Sequence, residues 1–129
     1  MIAYRIDPFP SDRLLRDLWQ AAWGNSGPPS FEPILTRSLA HLGAFAGETL
    51  VGFVNVAGDG GLHAFVLDTT VHPDFRRRGI GMQLVTRAAD VSRERKATWL
   101  HVDFEGHLAL FYRRCGFEPT AAGLINLAR

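Results

Sequence analysis

The chain has 129 residues, of which 47% are hydrophobic and 21% are charged, and its formal net charge is +1. This composition is typical of a folded globular protein and excludes a disordered chain. The length fits one domain, residues 1–129, with one hydrophobic core. No apolar run approaches the ~20 residues that a membrane-spanning helix needs. For this reason we expect no membrane partner. Because a nucleic-acid-binding protein usually carries a larger basic excess, we expect no nucleic-acid partner either.

The first forty residues predict one strand and two helices. Ile2–Ile6 is a short strand candidate that is followed by a proline-rich turn. Ser11 is a typical N-cap residue, and apolar residues at helical spacing then run to Gly24, which predicts the first helix. Ser30 can cap a second, short helix whose apolar residues are Ile34, Leu35 and Leu39.

The middle of the chain changes to β-structure and then to a long helix. Leu42–Ala46 and Leu50–Ala57 predict a β-hairpin, and Ala64–Val71 predicts a further strand. These runs are short and rich in valine, phenylalanine and threonine, which favours strands over helices. A helix is predicted from about Gly79 to Arg95. Its buried stripe is expected to consist of Ile80, Leu84, Ala88 and Val91.

The last third predicts a strand, a short helix and a final strand. The strands are Thr98–Val102 and Leu124–Leu127, and Gly116 ends the helix between them. The predicted order is β-α-α-β-β-β-α-β-α-β, an α/β fold with a mixed central sheet flanked by about four helices and a shortened C-terminal end. The apolar stripe of the short helix is Leu108, Phe111, Tyr112 and Cys115.

The segment from Val71 to Gly81 has the features of an anion-binding site. Pro73 prevents the strand from continuing, and the helix that follows begins with backbone N–H groups that have no intrahelical partner. Gly79 and Gly81 allow a phosphate to approach without a Cβ in the way. The neighbouring Arg76–Arg78 supply permanent charge and forked donors. The segment therefore predicts a site for a diphosphate-containing ligand, and the alternative is a solvated basic loop.

Two motifs resemble those of the GCN5-related N-acetyltransferase (GNAT) superfamily. Residues 76–81 read Arg-x-x-Gly-x-Gly, which matches the family's Gln/Arg-x-x-Gly-x-Gly/Ala motif, and Val-x-Pro precedes it at 71–73. Residues 112–117 supply a tyrosine followed closely by Gly-Phe, the second family feature. The resemblance covers Leu42 to Phe117, and it extends over the first forty residues only by the order of the helices.

The resemblance implies that acetyl-CoA is the acyl donor and lies between two splayed parallel strands. Backbone N–H groups of Arg77–Gly81 would hold the pyrophosphate, and those around Thr69–Val71 would bind the pantetheine arm and polarise the thioester carbonyl. An amine of a small molecule or peptide would attack, and Tyr112 would protonate the departing thiolate. The cofactor-binding residues implied in this way are Thr69, Val71, Arg76, Arg77, Arg78, Gly79, Ile80, Gly81 and Glu105.

Two positions depart from the family pattern. Glu105 stands where many members have an asparagine that contacts pantetheine, and Phe65 stands where some members have a glutamate base. Because that base is absent, His63 and Asp68 are the nearest catalytic replacements, acting through water. The alternative is that both are solvated side chains of a strand end. Trp23 and Phe31 flank a loop and are candidates for an acceptor pocket.

Other chemistry is less well supported by the sequence. His101, Asp103 and His107 superficially resemble a metal-ligand set, but His107 lies beyond a turn, so we expect no metal site. Cys115 lies on an apolar stripe and is expected to be a small buried hydrophobe. Two other functions stay open: a non-catalytic coenzyme A-binding or regulatory domain of the same fold, and a nucleic-acid-binding module that uses the arginines at 76–78 and 113–114.

Cellular location and assembly can also be predicted. The chain has one cysteine, Cys115, which cannot form an internal disulfide, and its N-terminus lacks the features of a secretory signal. We therefore expect a cytoplasmic protein. Only a short segment follows Phe117, and an unfinished sheet edge tends to find a partner, which predicts a homodimer in which Leu124–Leu127 pairs at or near the interface.

Overall fold

The computed structural model of the protein describes residues 1–128. Over this range the chain forms five strands and four α-helices, and 3-10 turns precede α3 and α4. Helix α1 begins after Ser11, whose hydroxyl oxygen accepts a hydrogen bond from the N–H of Leu14. The elements in chain order are β1 Ile2–Ile6, α1 Asp12–Trp23, α2 Glu32–Arg37, β2 Ser38–Ala46, β3 Thr49–Gly58, β4 His63–Val71, α3 Ile80–Glu94, β5 Trp99–His101 and α4 Ala109–Arg114.

The five strands form one sheet whose spatial order follows the chain, β1-β2-β3-β4-β5. Strands β1 to β4 are antiparallel neighbours, whereas β5 joins β4 in parallel. The β4–β5 pairing is short and joins His63–Phe65 to Trp99–His101. Strand β4 continues to Val71, so its last six residues, 66–71, run past the end of this pairing. The two strands therefore leave a slot between them that opens toward the end of β4.

Helices cover both faces of the sheet and create two packed clusters. Helix α3 lies on one face, where Ile80, Leu84 and Ala88 are buried against residues of β2, β3 and β4. It packs closely at Gly52, where an added Cβ would lie 2.9 Å from a methyl carbon of Leu84. Helices α1 and α2 cover the other face. Their cluster consists of Leu15, Leu18, Trp19, Phe31, Leu35, Phe45, Leu50 and Phe53.

The predicted fold class and the order of the first nine elements are confirmed, whereas one boundary and one predicted strand were wrong. Strand β2 begins at Ser38 rather than Leu42, so Leu39 belongs to the strand and not to the second helix. Leu124–Leu127 form no strand: within residues 1–128 the last regular element is α4. Both faults have one physical cause, since pairing with a distant strand decides where a strand forms.

Within residues 1–128, no helix is both long and apolar enough to cross a bilayer.

Candidate active site

Strand β4 contains a bulge at the point where the slot opens. Its register against β3 changes between the pairs Phe53–Thr70 and Asn55–Leu67, so β4 carries an extra residue there. Asp68 has a φ of 56°, a left-handed conformation that is uncommon for a residue other than glycine. Such a bulge turns the backbone groups of β4 out of the regular ladder, and on the β5 side residues 66–71 have no paired strand. These groups are therefore available to an extended ligand.

The bulge is held in place from helix α1. The indole N–H of Trp23, the last residue of α1, donates to the hydroxyl oxygen of Thr70 at 3.2 Å. The Thr70 hydroxyl in turn donates to the backbone oxygen of Asp68 at 2.9 Å. Partial desolvation of the carboxyl raises the pKa of Asp68, although the residue as a whole is solvent-exposed. A raised pKa makes a carboxylate a better proton acceptor near neutral pH.

The loop after β4 leads into the start of α3 through two left-handed residues. Arg77 has a φ of 64° and Gly79, the N-cap of α3, has a φ of 77°. No side chain caps the helix, and its first turn contains no acidic residue. A Cβ added at Gly79 would meet no protein atom within 4 Å, so the space beside this backbone is open. The uncapped helix start and the open space beside Gly79 together suit an anion.

Arginine side chains surround this helix start. Arg76, Arg77 and Arg78 are all exposed, and within residues 1–128 none of them forms an ion pair. The Arg78 guanidinium lies 4.9 Å from the centre of the Phe75 ring, a cation–π contact that keeps it beside the loop. Three guanidinium groups without acidic partners leave positive charge available for a phosphate.

Helix α4 brings Tyr112 to the middle of the slot. The Tyr112 hydroxyl donates to the hydroxyl oxygen of Thr69 at 3.4 Å, and the ring is only 6% exposed. Phe104 stacks on this ring with centroids 4.8 Å apart. Phe111 closes α4 onto α3, because a Cβ at Gly81 would lie 3.3 Å from its ring. The packed ring and the hydroxyl's contact with Thr69 suit Tyr112 to donate a proton at this position.

His63 does not lie beside Tyr112. It is the first residue of β4, six residues before Thr69, and its Nδ1 lies 2.8 Å from Nε2 of His101 on β5. The site residues predicted from the sequence thus divide into two groups along the strand. Thr69, Val71 and Tyr112 lie beside the open part of the slot, with Asp68 at the bulge, whereas His63 lies at the paired end.

Phe31, a predicted pocket residue, is instead 1% exposed and packs in the core cluster with Trp19. Two other predicted residues also have clear positions. Glu105 lies in the β5–α4 loop, where it is solvent-exposed and its carboxylate is 3.6 Å from His107. Cys115 is half-buried, and burial raises the pKa of its thiol, which disfavours the reactive thiolate. Within residues 1–128 no group of three or more histidine, cysteine, aspartate or glutamate side chains is arranged to hold a metal ion.

Sequence reasoning missed two features of this site. One is the bulge with its left-handed Asp68, since an aspartate gives little local signal for a positive φ in a strand. The other is the pairing of His63 with His101, because residues 38 positions apart meet only through the sheet. Strand alternation gave one signal for it. His63 shares a face of β4 with Phe65, and His101 shares a face of β5 with Trp99, so the two imidazoles can lie on the same face of the sheet.

The comparisons with known proteins agree with this geometry. The Acetyltransferase (GNAT) family model matches residues 11–117, which include α1, the sheet from β2 to β5, and α4. The chain therefore belongs to the GNAT acetyltransferase family.

Relatives and solved structures support the same assignment. A mycothiol acetyltransferase of Mycolicibacterium vanbaalenii is 31% identical over 103 residues, which are 76% of this chain and 34% of the relative. The chain spans less than half the length of the curated relatives that it matches. The structure of the GNAT family protein SP0256 of Streptococcus pneumoniae is 28% identical with a TM-score of 0.81, covering 98% of this chain and 99% of that one. The aminoglycoside enzyme AAC(6')-Iy, solved with a bisubstrate analogue, shares the fold at 21% identity and a TM-score of 0.77, covering 100% of this chain and 99% of that chain.

Proposed function

We propose that this protein is an acetyl-CoA-dependent N-acetyltransferase that acetylates an amine of a small molecule or peptide. The observation that carries the proposal is the continuity of the slot. An open helix start without acidic residues lies at its mouth, an unpaired strand edge runs along it, and the Tyr112 hydroxyl meets Thr69 in between. Transfer of an acetyl group from a long, phosphorylated thioester requires three things: a site that binds the phosphates, a backbone edge that binds the arm, and a group that gives a proton to the leaving sulfur.

The residues at the mouth fit the pyrophosphate of acetyl-CoA. The N–H groups from Arg77 to Gly81 would donate to the phosphate oxygens, and the open space beside Gly79 lets the oxygens approach the backbone. Arg76–Arg78 would neutralise the charge. The backbone at Thr69 and Val71 would bind the pantetheine arm as a neighbouring strand does. Glu105 lies in the loop after β5, on the other side of the slot, and is proposed to contact the pantetheine arm from that side.

Groups of the chain would stabilise the negative charge that develops during attack and would transfer the protons. An N–H on the free edge of β4 near Thr69 would stabilise negative charge on the thioester oxygen during attack. Tyr112 would give its phenolic proton to the departing sulfur, and water would restore it. Two places could supply an acceptor for the proton that the amine must lose: Asp68, whose pKa is raised, and the first residues of β4, where His63 lies.

The relatives support an amine acceptor without identifying it. One is named as a mycothiol acetyltransferase, and AAC(6')-Iy was solved with a coenzyme A–acetylneamine analogue. A cytoplasmic location belongs to the proposal as well, because a lone cysteine is best kept in a reducing compartment. We also propose a homodimer, supported by the apolar side chains of Leu124, Ile125 and Leu127, which are 84–90% exposed in the single chain.

A screen for thiol release tests the activity. The chain is incubated with acetyl-CoA and primary amines of different classes: amino acids, polyamines, aminoglycosides and peptides with a free N-terminus. We expect release of coenzyme A that depends on one class of amine, with an acetylated product of matching mass. Binding of acetyl-CoA without turnover on any class would instead favour a non-catalytic coenzyme A-binding domain. The specific observation behind that second candidate is Phe65, which provides no carboxylate where some family members have a base.

A further inference from the structure

The paired end of the slot carries two histidines in direct contact. His63 Nδ1 and His101 Nε2 are 2.8 Å apart, a hydrogen-bond distance that requires one nitrogen to carry a proton and the other to accept it. The Phe65 ring stacks on His101 with centroids 4.6 Å apart and planes inclined by 21°. Ala64 and Val66 point the other way and are buried against α3, so the imidazoles lie on the opposite, solvent-accessible face. The contact is thus held by β4–β5 pairing and by stacking.

This pair lies at the closed end of the proposed cofactor slot. The β4–β5 pairing ends at Phe65 and His101, and the strands separate from there toward Val71. A ligand whose phosphates lie at Gly79 and whose arm follows β4 has its far end directed toward this junction. Thr69 lies four residues from Phe65 along β4, about 13 Å at ~3.3 Å per residue. The His101 side chain, one bridging water and the acceptor amine would together span this backbone distance.

Acetyl transfer to an alkylamine needs a proton acceptor in this region. A primary amine resembles the lysine side chain, with a pKa of about 10, so it arrives as an ammonium ion without a free lone pair. Phe65 provides no titratable group, and Tyr112 is required to give a proton and not to take one. The two imidazoles are the groups at the junction that can accept a proton near neutral pH.

We propose that His101, paired with His63, accepts the proton that the acceptor's ammonium group loses before attack. The proposal rests on the N-acetyltransferase function proposed above. In this step an N–H bond of the ammonium breaks and a proton passes, through the bridging water, to Nδ1 of His101. The free amine then forms its C–N bond to the acetyl carbon as the C–S bond breaks. As the amide forms, the second proton passes from nitrogen to water, Tyr112 gives its proton to the departing sulfur, and water returns a proton to Tyr112, so that the protons balance.

His63 acts as a positioning residue for His101. When His63 Nδ1 accepts a hydrogen bond from Nε2–H of His101, the neutral His101 ring keeps its proton on Nε2 and presents Nδ1 bare. After His101 accepts the proton, the positive charge is shared across the short contact, and either ring can release it to water because both are exposed.

A carboxylate group lies beside the pair. Asp59 lies in the turn before β4, where its Oδ1 accepts hydrogen bonds from the N–H groups of Gly61 and His63. The Gly61 hydrogen bond, and to a smaller extent His63, hold the pKa of Asp59 below its usual value, so the carboxylate stays ionised. Asp103 follows His101 by two residues, beyond the end of β5. The Asp59 carboxylate, which accepts from the N–H of His63, would stabilise a transient positive charge on the pair.

The first experiment examines the pair without requiring turnover. Long-range proton–nitrogen NMR spectra of the full chain, labelled with nitrogen-15, report the protonation of each histidine ring nitrogen as pH changes. We expect the His63 and His101 signals to change together, and His63→Gln to alter the protonation curve and the tautomer of His101. His107→Gln is the matched control, since it removes an exposed imidazole from the β5–α4 loop. Independent curves for His63 and His101 in the wild-type chain, together with a His101 curve that is unchanged in His63→Gln, would overturn the proposal.

The second experiment uses the pH dependence of acetyl transfer to the primary amines of the thiol-release screen. His101→Gln should lower kcat at pH 7 by ~10²–10⁴-fold, and the deficit should shrink as the pH approaches ~10, where the amine loses its proton unaided. The KM for acetyl-CoA should not change. His101→Ala should regain activity when free imidazole is added, and His63→Gln should show a smaller defect with an altered pH profile.

The outcomes separate this proposal from the function on which it depends. A His101→Gln variant with the wild-type pH profile would overturn the proton-acceptor role and leave the N-acetyltransferase function standing. A wild-type chain that neither binds acetyl-CoA nor releases thiol with any of the amines would overturn both.

Discussion

Replacing Gly79 by alanine tests where the phosphates bind. Gly79 has a φ of 77°, and an added Cβ would touch no protein atom within 4 Å. The alanine side chain therefore causes no clash within the protein and costs only the left-handed strain of an L-residue, ~1–2 kcal/mol of folding free energy. If the phosphates lie against this backbone, the methyl group occupies their position and disrupts at least one charge-assisted hydrogen bond. Such a bond is worth ~1.5–3 kcal/mol, which corresponds to a loss of affinity of about 10- to 150-fold.

Gly60→Ala provides a matched control for this change. Gly60 has a φ of 82° and an equally open Cβ position, but it lies in the β3–β4 turn, at the opposite end of β4. Both variants should lose similar stability in urea unfolding. Only Gly79→Ala should lose affinity in calorimetric titration with acetyl-CoA. Equal, wild-type affinity in both folded variants would refute the assignment of the phosphate site to the start of α3.

Three further predictions concern the proton donor, the core and the assembly. Tyr112→Phe keeps the ring that Phe104 stacks on, so acetyl-CoA affinity should be unchanged while kcat falls by ~10²–10⁴-fold; a wild-type kcat would leave Tyr112 with a packing role only. Burial lowers the pKa of His41, which is 1% exposed; the folded state therefore favours the neutral ring, and stability should fall as the pH drops below ~6.5, where the unfolded chain binds the proton. Urea unfolding at pH 7.5 and 5.0 should show a smaller difference in His41→Gln, and an equal difference would contradict this reasoning. Light scattering at high micromolar concentration should give twice the mass of one chain, whereas a monomer would refute the dimer.

The sequence predicts those parts of the site that depend on local chemistry. Pro73, the arginines that follow and Gly79 specify the turn and the helix start by themselves, because a proline ends a strand and a glycine accepts a positive φ. The amphipathic spacing of α3 also predicts its buried stripe, and Ile80, Leu84 and Ala88 are buried as expected.

The remaining features depend on contacts between distant residues. Strand β5 ends at His101, which opens the slot, and nothing near His101 in the sequence indicates that its pairing stops there. The same limit explains the wrong prediction at the C-terminus. Leu124–Leu127 has the composition of a strand, but a strand forms only against a neighbour, and these residues pair with none of residues 1–128.

Binding of acetyl-CoA to the wild-type chain tests the central claim most directly. Thermal unfolding and calorimetry are measured with millimolar acetyl-CoA and, as a control, with ADP, which offers a diphosphate but no pantetheine arm. If the slot between β4 and β5 holds the arm, acetyl-CoA should stabilise the fold clearly more than ADP does. Relative to the unliganded chain, its stabilisation should be ~2.7 kcal/mol when its concentration is a hundred times its Kd. The absence of both a melting shift and a heat of binding with acetyl-CoA would contradict the account.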